Sequence, residues 1–379
     1  MSARAAVPLA DVPLASPAAA RTAAATATTT AMTSVATSAA ASVTTSVATS
    51  ATATGTTPAA PVDRRASVRT IFPPPGEGAR PGTGEVHAHH GEIVQGVFYA
   101  DGVLEHGLVT LPCSLYRTRA RFRPVRSGPL TVEPGDRRRA RAAARLTLDA
   151  LGRTGWGGAI RIDGNVPLRW GCGSSTTDVL ATIRAVADAF DAVLEPAWAA
   201  RLAVAAETAS DSLMFAPGRA VLFAQRRGSM LLDLGGPLPP VRVLGFNTEA
   251  DRGVETLSLP PVPYTAWERE AFGPILGLLR HAVERQDPAL LGRVATASTL
   301  INQRHRPKRS MPRLLEAAAE AGALGVQVAH SGTVAGFLFE PGEGASPRVE
   351  RAREALGRLG MHRSWEFTTD LSPHPEPLS

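Results

Sequence analysis

A helical pattern of apolar positions follows directly after a cluster of glycines and hydroxyl side chains. The cluster is Gly171-Cys172-Gly173-Ser174-Ser175-Thr176-Thr177. Beyond it, apolar side chains recur every three or four residues, the spacing that places them on one face of an α-helix. The pattern predicts a helix that begins in the cluster and buries Val179, Leu180, Ile183, Val186, Ala187 and Phe190.

Elsewhere the chain mixes helical patterns with short apolar or alternating runs. Because these elements do not alternate strictly as strand, helix and strand, the pattern favours an α+β fold over a parallel α/β sheet. Strands are predicted at residues 92–98, 108–112, 115–122, 159–163, 220–224, 230–233 and 241–246, and within the apolar segment 326–339. Further helices are predicted at residues 138–151, 198–208, 266–284, 288–302 and 311–321.

Composition shifts divide the chain into three parts. Residues 1–72 form a tail and linker rich in Ala, Thr and Ser, with few bulky apolar side chains to offset the entropy of ordering, and we predict disorder there. Two folded domains are predicted after it, over residues 82–238 and 239–379. The Pro237-Leu238-Pro239-Pro240 segment marks the boundary between them.

Charge and cysteine content narrow the classes of function. The formal net charge is +6, yet the basic residues are nearly all arginine and spread along the chain, so we expect no nucleic-acid partner. The folded part contains no uncharged apolar run of about eighteen residues, so we expect no membrane partner. Cys113 and Cys172 form neither a disulfide framework nor zinc-ligand spacing, which fits the cytoplasm. No pattern predicts an oligomeric state.

The glycine and hydroxyl cluster is suited to binding phosphate. Glycines allow the backbone to turn tightly against an anion, and the free N–H groups and dipole of the following helix attract it. The hydroxyls of Ser174, Ser175 or Thr176 are candidates for capping the helix, contacting phosphate or binding magnesium. The alternative is an ordinary glycine-rich loop with a Ser or Thr cap.

Two charged or titratable runs have both functional and structural interpretations. The arginines at 137, 138, 139 and 141 are either a phosphate-binding patch or a solvated helix face, and the lack of interleaved aromatics favours the solvated face. The histidines at 87, 89 and 90 lack carboxylate or cysteine partners at metal-ligand spacing. We therefore interpret them as a polar strand end.

Three segments in order resemble the motifs of the GHMP small-molecule kinases. They are Gly91-Glu92-Ile93-Val94-Gln95-Gly96, the loop from Pro167 to Thr177, and Ala329-His330-Ser331-Gly332-Thr333-Val334. The first and third motifs, with Asn302-Gln303-Arg304, are most similar to the L-threonine kinase branch, which serves cobalamin side-chain assembly. Cys172 departs mildly from the second motif. His89 and His90 stand where the family usually has small residues.

The resemblance implies an α+β fold of two domains, the first like domain 2 of ribosomal protein S5 and the second ferredoxin-like. It also implies that ATP and Mg²⁺ are the cofactors, with an alcohol as the acceptor. Asp211 matches the aspartate beside the acceptor hydroxyl, and Ser175 and Glu207 resemble the magnesium ligands. The short separation between Glu207 and Asp211 leaves the role of Glu207 open.

The remaining site residues follow from the same motifs. The ATP-binding segment comprises Pro167, Gly171, Cys172, Gly173, Ser174, Ser175 and Thr176. The acceptor site comprises Glu92, Gln95, His330, Ser331, Gly332 and Thr333, where a carboxylate and an amide suit an amino acid. Glu92 and His330 each have a structural alternative, as a turn cap and a core histidine. Lys308 either neutralises phosphate or is a solvated loop residue.

The resulting prediction is phosphorylation of L-threonine to O-phospho-L-threonine. Three alternatives remain open: a GHMP kinase with another acceptor (homoserine, a sugar, a mevalonate-like acid or a secondary-metabolite alcohol), a non-catalytic ATP-binding regulator, and a nucleic-acid-binding module. A P-loop ATPase is excluded because the chain has no Gly-x-x-x-x-Gly-Lys-(Ser/Thr) motif.

Overall fold

The computed structural model describes residues 78–100, 102–215, 218–249, 262–308 and 310–369. The predicted disordered tail, residues 1–72, lies outside the described residues. The division into domains at residues 238 and 239 stays a prediction.

Ten strands and seven α-helices are found in the described part of the chain. The strands are β1 (Gly82–Ala100), β2 (Val103–Arg126), β3 (Leu130–Glu133), β4 (Trp156–Gly164), β5 (Val221–Ala224), β6 (Ser229–Asp233), β7 (Arg242–Asn247), β8 (Gly325–Val328), β9 (Val334–Phe339) and β10 (Ser364–Thr368). The helices are α1 (Arg138–Ala150), α2 (Ser174–Ala189), α3 (Pro196–Glu207), α4 (Ala266–Arg285), α5 (Pro288–Gln303), α6 (Met311–Ala321) and α7 (Ser346–Arg358).

The α+β prediction is confirmed, and most predicted elements differ from the observed ones only at their ends. The predicted helix at residues 311–321 matches α6 in full. The predicted strands at 108–112 and 115–122 are parts of the single long strand β2. The predicted strand at 92–98 is likewise the second half of β1. Local patterns divided these strands because Pro112 and the histidine run interrupt the alternation.

The strands form one sheet in the order β10-β7-β9-β8-β1-β2-β4-β3, with the β5–β6 hairpin attached to β2. Strands β1 and β2 pair antiparallel, with register shifts between His87 and Val94. These irregularities re-aim side chains of β1 at the point where the first motif begins.

Helix α2 packs against the sheet in the larger core of residues 86–223. Its predicted apolar face is confirmed at Val179, Leu180, Ile183, Val186 and Ala187, which are all buried. Phe190, also predicted on this face, lies just beyond the end of the helix and is half-buried. A second core joins α6 and α7 to β7, β8 and β9. A small third cluster, Cys172 with Ala329 and Val334, connects the loop before α2 to the segment before β9.

Both cysteines are buried as free thiols. Among the residues that the structure describes, no helix is both long enough and apolar enough to cross a membrane.

Candidate active site

A cavity of about 620 Å³ opens at the N-terminal end of α2. Its wall combines the glycine and hydroxyl loop with carboxylates and arginines from several elements. The lining residues predicted from the sequence are Glu92, Gln95, Gly171, Gly173, Ser174, Ser175, Thr176, Glu207, Asp211 and Ser331. One cavity therefore holds side chains from all three motifs.

The loop before α2 turns through two glycines in the left-handed region. Gly171 has φ +89° and Gly173 has φ +72°, a conformation that strains other residues. Gly173 precedes the helix, and its carbonyl accepts the N–H of Thr177 at 2.8 Å. No side chain caps α2, so the capping interpretation of the hydroxyls does not hold. The first-turn N–H groups are left without intrahelical acceptors, as an anion site requires.

Ser175 and Thr176 instead hydrogen-bond to Glu207, at the end of α3. Ser175 Oγ donates to Glu207 Oε2 at 2.6 Å, and Thr176 Oγ1 lies 2.9 Å from Oε1. Burial raises the pKa of Glu207 to about 7, although these hydrogen bonds oppose the rise. A buried carboxylate that is costly to ionise, beside a hydroxyl oxygen, offers the hard oxygen donors that Mg²⁺ prefers. Ser175 and Glu207 therefore fit a magnesium ion.

Asp211 lies between the helix and β1, with 22% of its side chain exposed. Its Oδ2 is 3.0 Å from Nε2 of His89 and 3.2 Å from Oγ1 of Thr176. Burial opposes ionisation of Asp211, but the charge and hydrogen bond of His89 hold its pKa below the ordinary value. The cavity therefore presents an ionised carboxylate.

His89 must carry protons on both ring nitrogens. Nδ1 lies 3.0 Å from the carbonyl of Gly91, and Nε2 faces the Asp211 carboxylate, and both of these partners only accept hydrogen bonds. Burial by itself lowers the pKa of His89, yet Asp211 outweighs it and raises the pKa to about 9. One ligand atom from each of His89, Glu92 and Asp211 lies within 4.8 Å of the others. A doubly protonated imidazole ligates no metal, so we interpret this group as an ion pair.

The interpretation of the histidine run as a polar strand end is therefore wrong for two of its members. His89 is buried in the site. His90 is buried beside Trp365 and Phe367, donates to Gln327 Oε1 at 3.0 Å, and has its pKa lowered by burial to about 4. Only His87 is exposed. The register shifts of β1 turn these side chains inward, which strand alternation alone does not predict.

The His89–Asp211 ion pair predicts a pH-dependent stability. Because the folded state raises the pKa of His89, the stabilisation is complete below about pH 6.5 and is lost as the pH rises through about 9. We expect His89→Gln to lower the melting temperature most at pH 6 and least at pH 10. Thermal unfolding across this range tests the expectation, with His87→Gln on the same strand as the control. An equal effect of His89→Gln at every pH contradicts it.

Glu92 and His330 are brought together by the pairing of β1 with β8. Glu92 Oε2 accepts hydrogen bonds from the backbone N–H of His330 at 3.0 Å and from its Nδ1 at 2.9 Å. His330 is buried and does not line the cavity, whereas Glu92 and Gln95 do. His330 therefore holds the Glu92 carboxylate in place at the cavity wall.

The third motif packs behind the glycine loop. The N–H of Thr333 donates to the carbonyl of Trp170 at 2.8 Å, and Gly332 lies directly against Gly171. The ammonium of Lys308 donates to the carbonyl of Gly332, and burial lowers the pKa of Lys308 to about 8. The interpretation of Lys308 as a solvated loop residue is therefore wrong. Of the four third-motif site residues, only Ser331 lines the cavity.

Two residues of the predicted ATP-binding segment also lie off the cavity. Cys172 is buried in the third cluster, and Pro167 is half-buried, while Leu168 and Arg169 line the cavity in its place. Between the two left-handed glycines, the Cys172 side chain packs with Ala329 and Val334 inside the protein. Its thiol has a raised pKa because it is buried.

The arginines at 137, 138, 139 and 141, interpreted from the sequence as a solvated helix face, differ from one another in the structure. Arg137, Arg138 and Arg139 line the cavity. Arg137 and Arg139 are only half-exposed, so the solvated-face interpretation does not hold for these two, whereas Arg138 and Arg141 are exposed. Arg137 Nε lies 3.3 Å from Oδ2 of Asp178. The helical period of α1 does not predict which arginines reach the cavity, because the cavity wall is formed by the residues at the start of the helix and not by one of its faces.

Comparison with known proteins agrees with this geometry. The model of the GHMP kinases N terminal domain matches residues 138–218, and that of the GHMP kinases C terminal domain matches residues 279–359. The L-threonine kinase of Salmonella typhimurium is 27% identical over 213 residues, covering 55% of this chain and 69% of that protein. The L-threonine kinase of Citrobacter freundii is 29% identical over 195 residues, covering 48% and 62%.

The fold is shared with solved structures. Homoserine kinase from Cytophaga hutchinsonii superimposes with a TM-score of 0.53 at 18% identity, covering 76% of this chain and 94% of that one. At this identity the likeness concerns the fold alone, and the predicted GHMP-kinase fold is confirmed. The chain thus contains the two domains of the GHMP kinases, the N-terminal one over residues 138–218 and the C-terminal one over residues 279–359.

Proposed function

We propose that this protein transfers the γ-phosphoryl group of ATP to the hydroxyl of L-threonine, forming O-phospho-L-threonine and ADP. The observation that carries the proposal is the position of the Asp211 carboxylate, which faces the same cavity as the N-terminal turn of α2. A proton acceptor and a phosphate site are the two groups that such a transfer requires in one place.

The phosphate side of the cavity is formed by the loop from Gly171 to Thr176. Its N–H groups and the dipole of α2 stabilise the negative charge of the nucleotide. Ser175 and Glu207 would hold Mg²⁺, which supplies positive charge to the phosphates when bound.

In the transfer itself, the acceptor oxygen forms a bond to the γ-phosphorus as the bond from that phosphorus to the ADP oxygen breaks. The hydroxyl proton passes to the Asp211 carboxylate or is oriented by it. Since His89 keeps Asp211 ionised, the carboxylate is available to accept this hydrogen bond throughout the neutral range. Positioning and charge stabilisation contribute most of the catalysis in such reactions.

The acceptor side is formed by β1. Glu92 and Gln95 present a carboxylate and an amide to the cavity, and these groups complement the ammonium and carboxylate of an amino acid. The similarity to two L-threonine kinases supports threonine as that amino acid. Supply of phosphothreonine for cobalamin side-chain assembly, in the cytoplasm, is part of the same proposal.

A panel of acceptors tests the proposal. The purified protein with MgATP is offered L-threonine, L-allo-threonine, L-serine, L-homoserine, mevalonate and galactose, and ADP release and product mass are measured. We expect product with L-threonine at the highest kcat/KM. The Asp211→Asn variant, purified in the same way, controls for contaminating kinases.

The alternatives give different outcomes. If another alcohol gives the dominant product, the protein is a kinase but L-threonine is not its acceptor. Nucleotide binding without product from any acceptor rejects catalysis and favours an ATP-binding regulator.

A further inference from the structure

The arginine run at the start of α1 divides into three structural roles. Arg137 is neutralised by Asp178, and Arg141 is exposed away from the cavity. Arg138 and Arg139 both line the cavity, and among the described residues no ion pair includes either of them. The cavity therefore has two cationic side chains without an acidic partner.

Arg139 reaches the phosphate loop directly. Its Nη1 donates to Oγ of Ser175 at 3.0 Å, and Ser175 belongs to the first turn of α2. A guanidinium offers five N–H groups in a planar fork that matches phosphate oxygens, so one bond to Ser175 leaves most of its donors available. The arginine and the helix N-terminus thus converge on the same space.

The only lysine of the chain does not supply this charge. Lys308 lies behind the third motif, its ammonium bonded to the carbonyl of Gly332, and it does not line the cavity. The wall also carries five carboxylates, those of Glu92, Asp136, Asp178, Glu207 and Asp211. A polyphosphate entering this cavity needs cationic partners, and Arg138 and Arg139 are placed to provide them.

We propose that Arg138 and Arg139 bind the phosphates of the nucleotide beyond the α-phosphate, with Arg139 contacting the one nearest Ser175. The inference rests on the proposed kinase function and extends it to two arginines that hold the phosphates together with the glycine loop.

Nucleotide binding without an acceptor tests this role. Binding of fluorescently labelled ADP and AMP is measured for the wild type and for Arg138→Ala, Arg139→Ala, Arg139→Lys and the control Arg141→Ala. Because charged hydrogen bonds are lost, we expect Arg139→Ala to weaken ADP binding about 10-fold to 100-fold. AMP, which lacks the second phosphate, should change much less. Arg139→Lys should recover part of the affinity, and Arg141→Ala should match the wild type.

Each other outcome overturns the proposal. ADP binding by Arg138→Ala and Arg139→Ala within twofold of the wild type excludes the contact, and an equal loss of AMP and ADP assigns the arginines to another part of the nucleotide. Thermal unfolding shows whether each variant folds. If Arg139→Ala does not fold, the ADP affinities of Arg139→Lys and Arg138→Ala test the proposal in its place. A wild type that binds no nucleotide rejects the kinase function as well, whereas normal wild-type binding with unaffected variants rejects only this inference.

Discussion

Asp211→Asn is expected to lower kcat by about 10²-fold to 10⁴-fold, the range typical for loss of a group that transfers or orients a proton. The amide keeps the size of the side chain but cannot accept the hydroxyl proton, and it removes the negative partner of His89. Nucleotide affinity should change little, because the proposed partner of Asp211 is the acceptor hydroxyl, whereas the phosphates are bound by the N–H groups of the glycine loop and the first turn of α2. Steady-state kinetics with saturating acceptor, alongside labelled-ADP binding, measures both quantities.

Asp163→Asn is a suitable control for this variant, since Asp163 is an exposed aspartate of β4 that does not line the cavity. It should retain wild-type kcat. If Asp211→Asn keeps kcat within about twofold of the wild type, Asp211 has no part in the chemistry, and its ion pair with His89 is structural.

The second large effect is expected at the proposed magnesium ligands. Ser175→Ala removes the hydroxyl oxygen of the pair, and Glu207→Gln replaces the adjacent carboxylate by a neutral amide. Since loss of even an outer-shell partner weakens a metal site by about 10-fold to 100-fold, we expect each variant to need at least about tenfold more Mg²⁺ for half-maximal rate. Mn²⁺ binding in the presence of ADP, followed by electron paramagnetic resonance, gives a measure independent of turnover.

Glu195→Gln provides the matched control, because Glu195 is exposed at the opposite end of α3 and its side chain makes no cap hydrogen bond. An unchanged Mg²⁺ requirement in both Glu207→Gln and Ser175→Ala would exclude this pair as the metal site. The Ser175–Glu207 hydrogen bond would then serve only to join α2 to α3.

Much of this architecture can be predicted from local sequence. The spacing of Val179, Leu180 and Ile183 predicts the buried face of α2, because burial follows the helical period. Gly171 and Gly173 predict a tight turn, because a left-handed backbone favours glycine over every other residue. Each of these signals depends only on neighbouring residues, so it can be recognised in the sequence without knowledge of the fold.

The composition of the site depended on contacts between distant segments. His89 and Asp211 are 122 positions apart, and Glu92 and His330 are 238 apart. No local period encodes such pairs, and the register shifts in β1 turn His89 and His90 inward against the simple alternation of a strand. The half-exposed positions of Arg137 and Arg139 at the cavity were not predicted for the same reason: whether an arginine meets solvent or a cavity depends on what packs opposite it.

The sequence by itself determined the α+β class, six of the seven described helices (all but α7), the glycine turn and the order of three motifs, since each rests on short-range periodicity or backbone preference. Only the tertiary structure decided which motif residues face the cavity. It placed Ser331 on the wall and His330 behind it, and it buried Lys308 while leaving Arg138 and Arg139 facing the cavity. The physical reason is that burial and ionisation depend on the packed surroundings of a side chain, and those surroundings exist only in the folded chain.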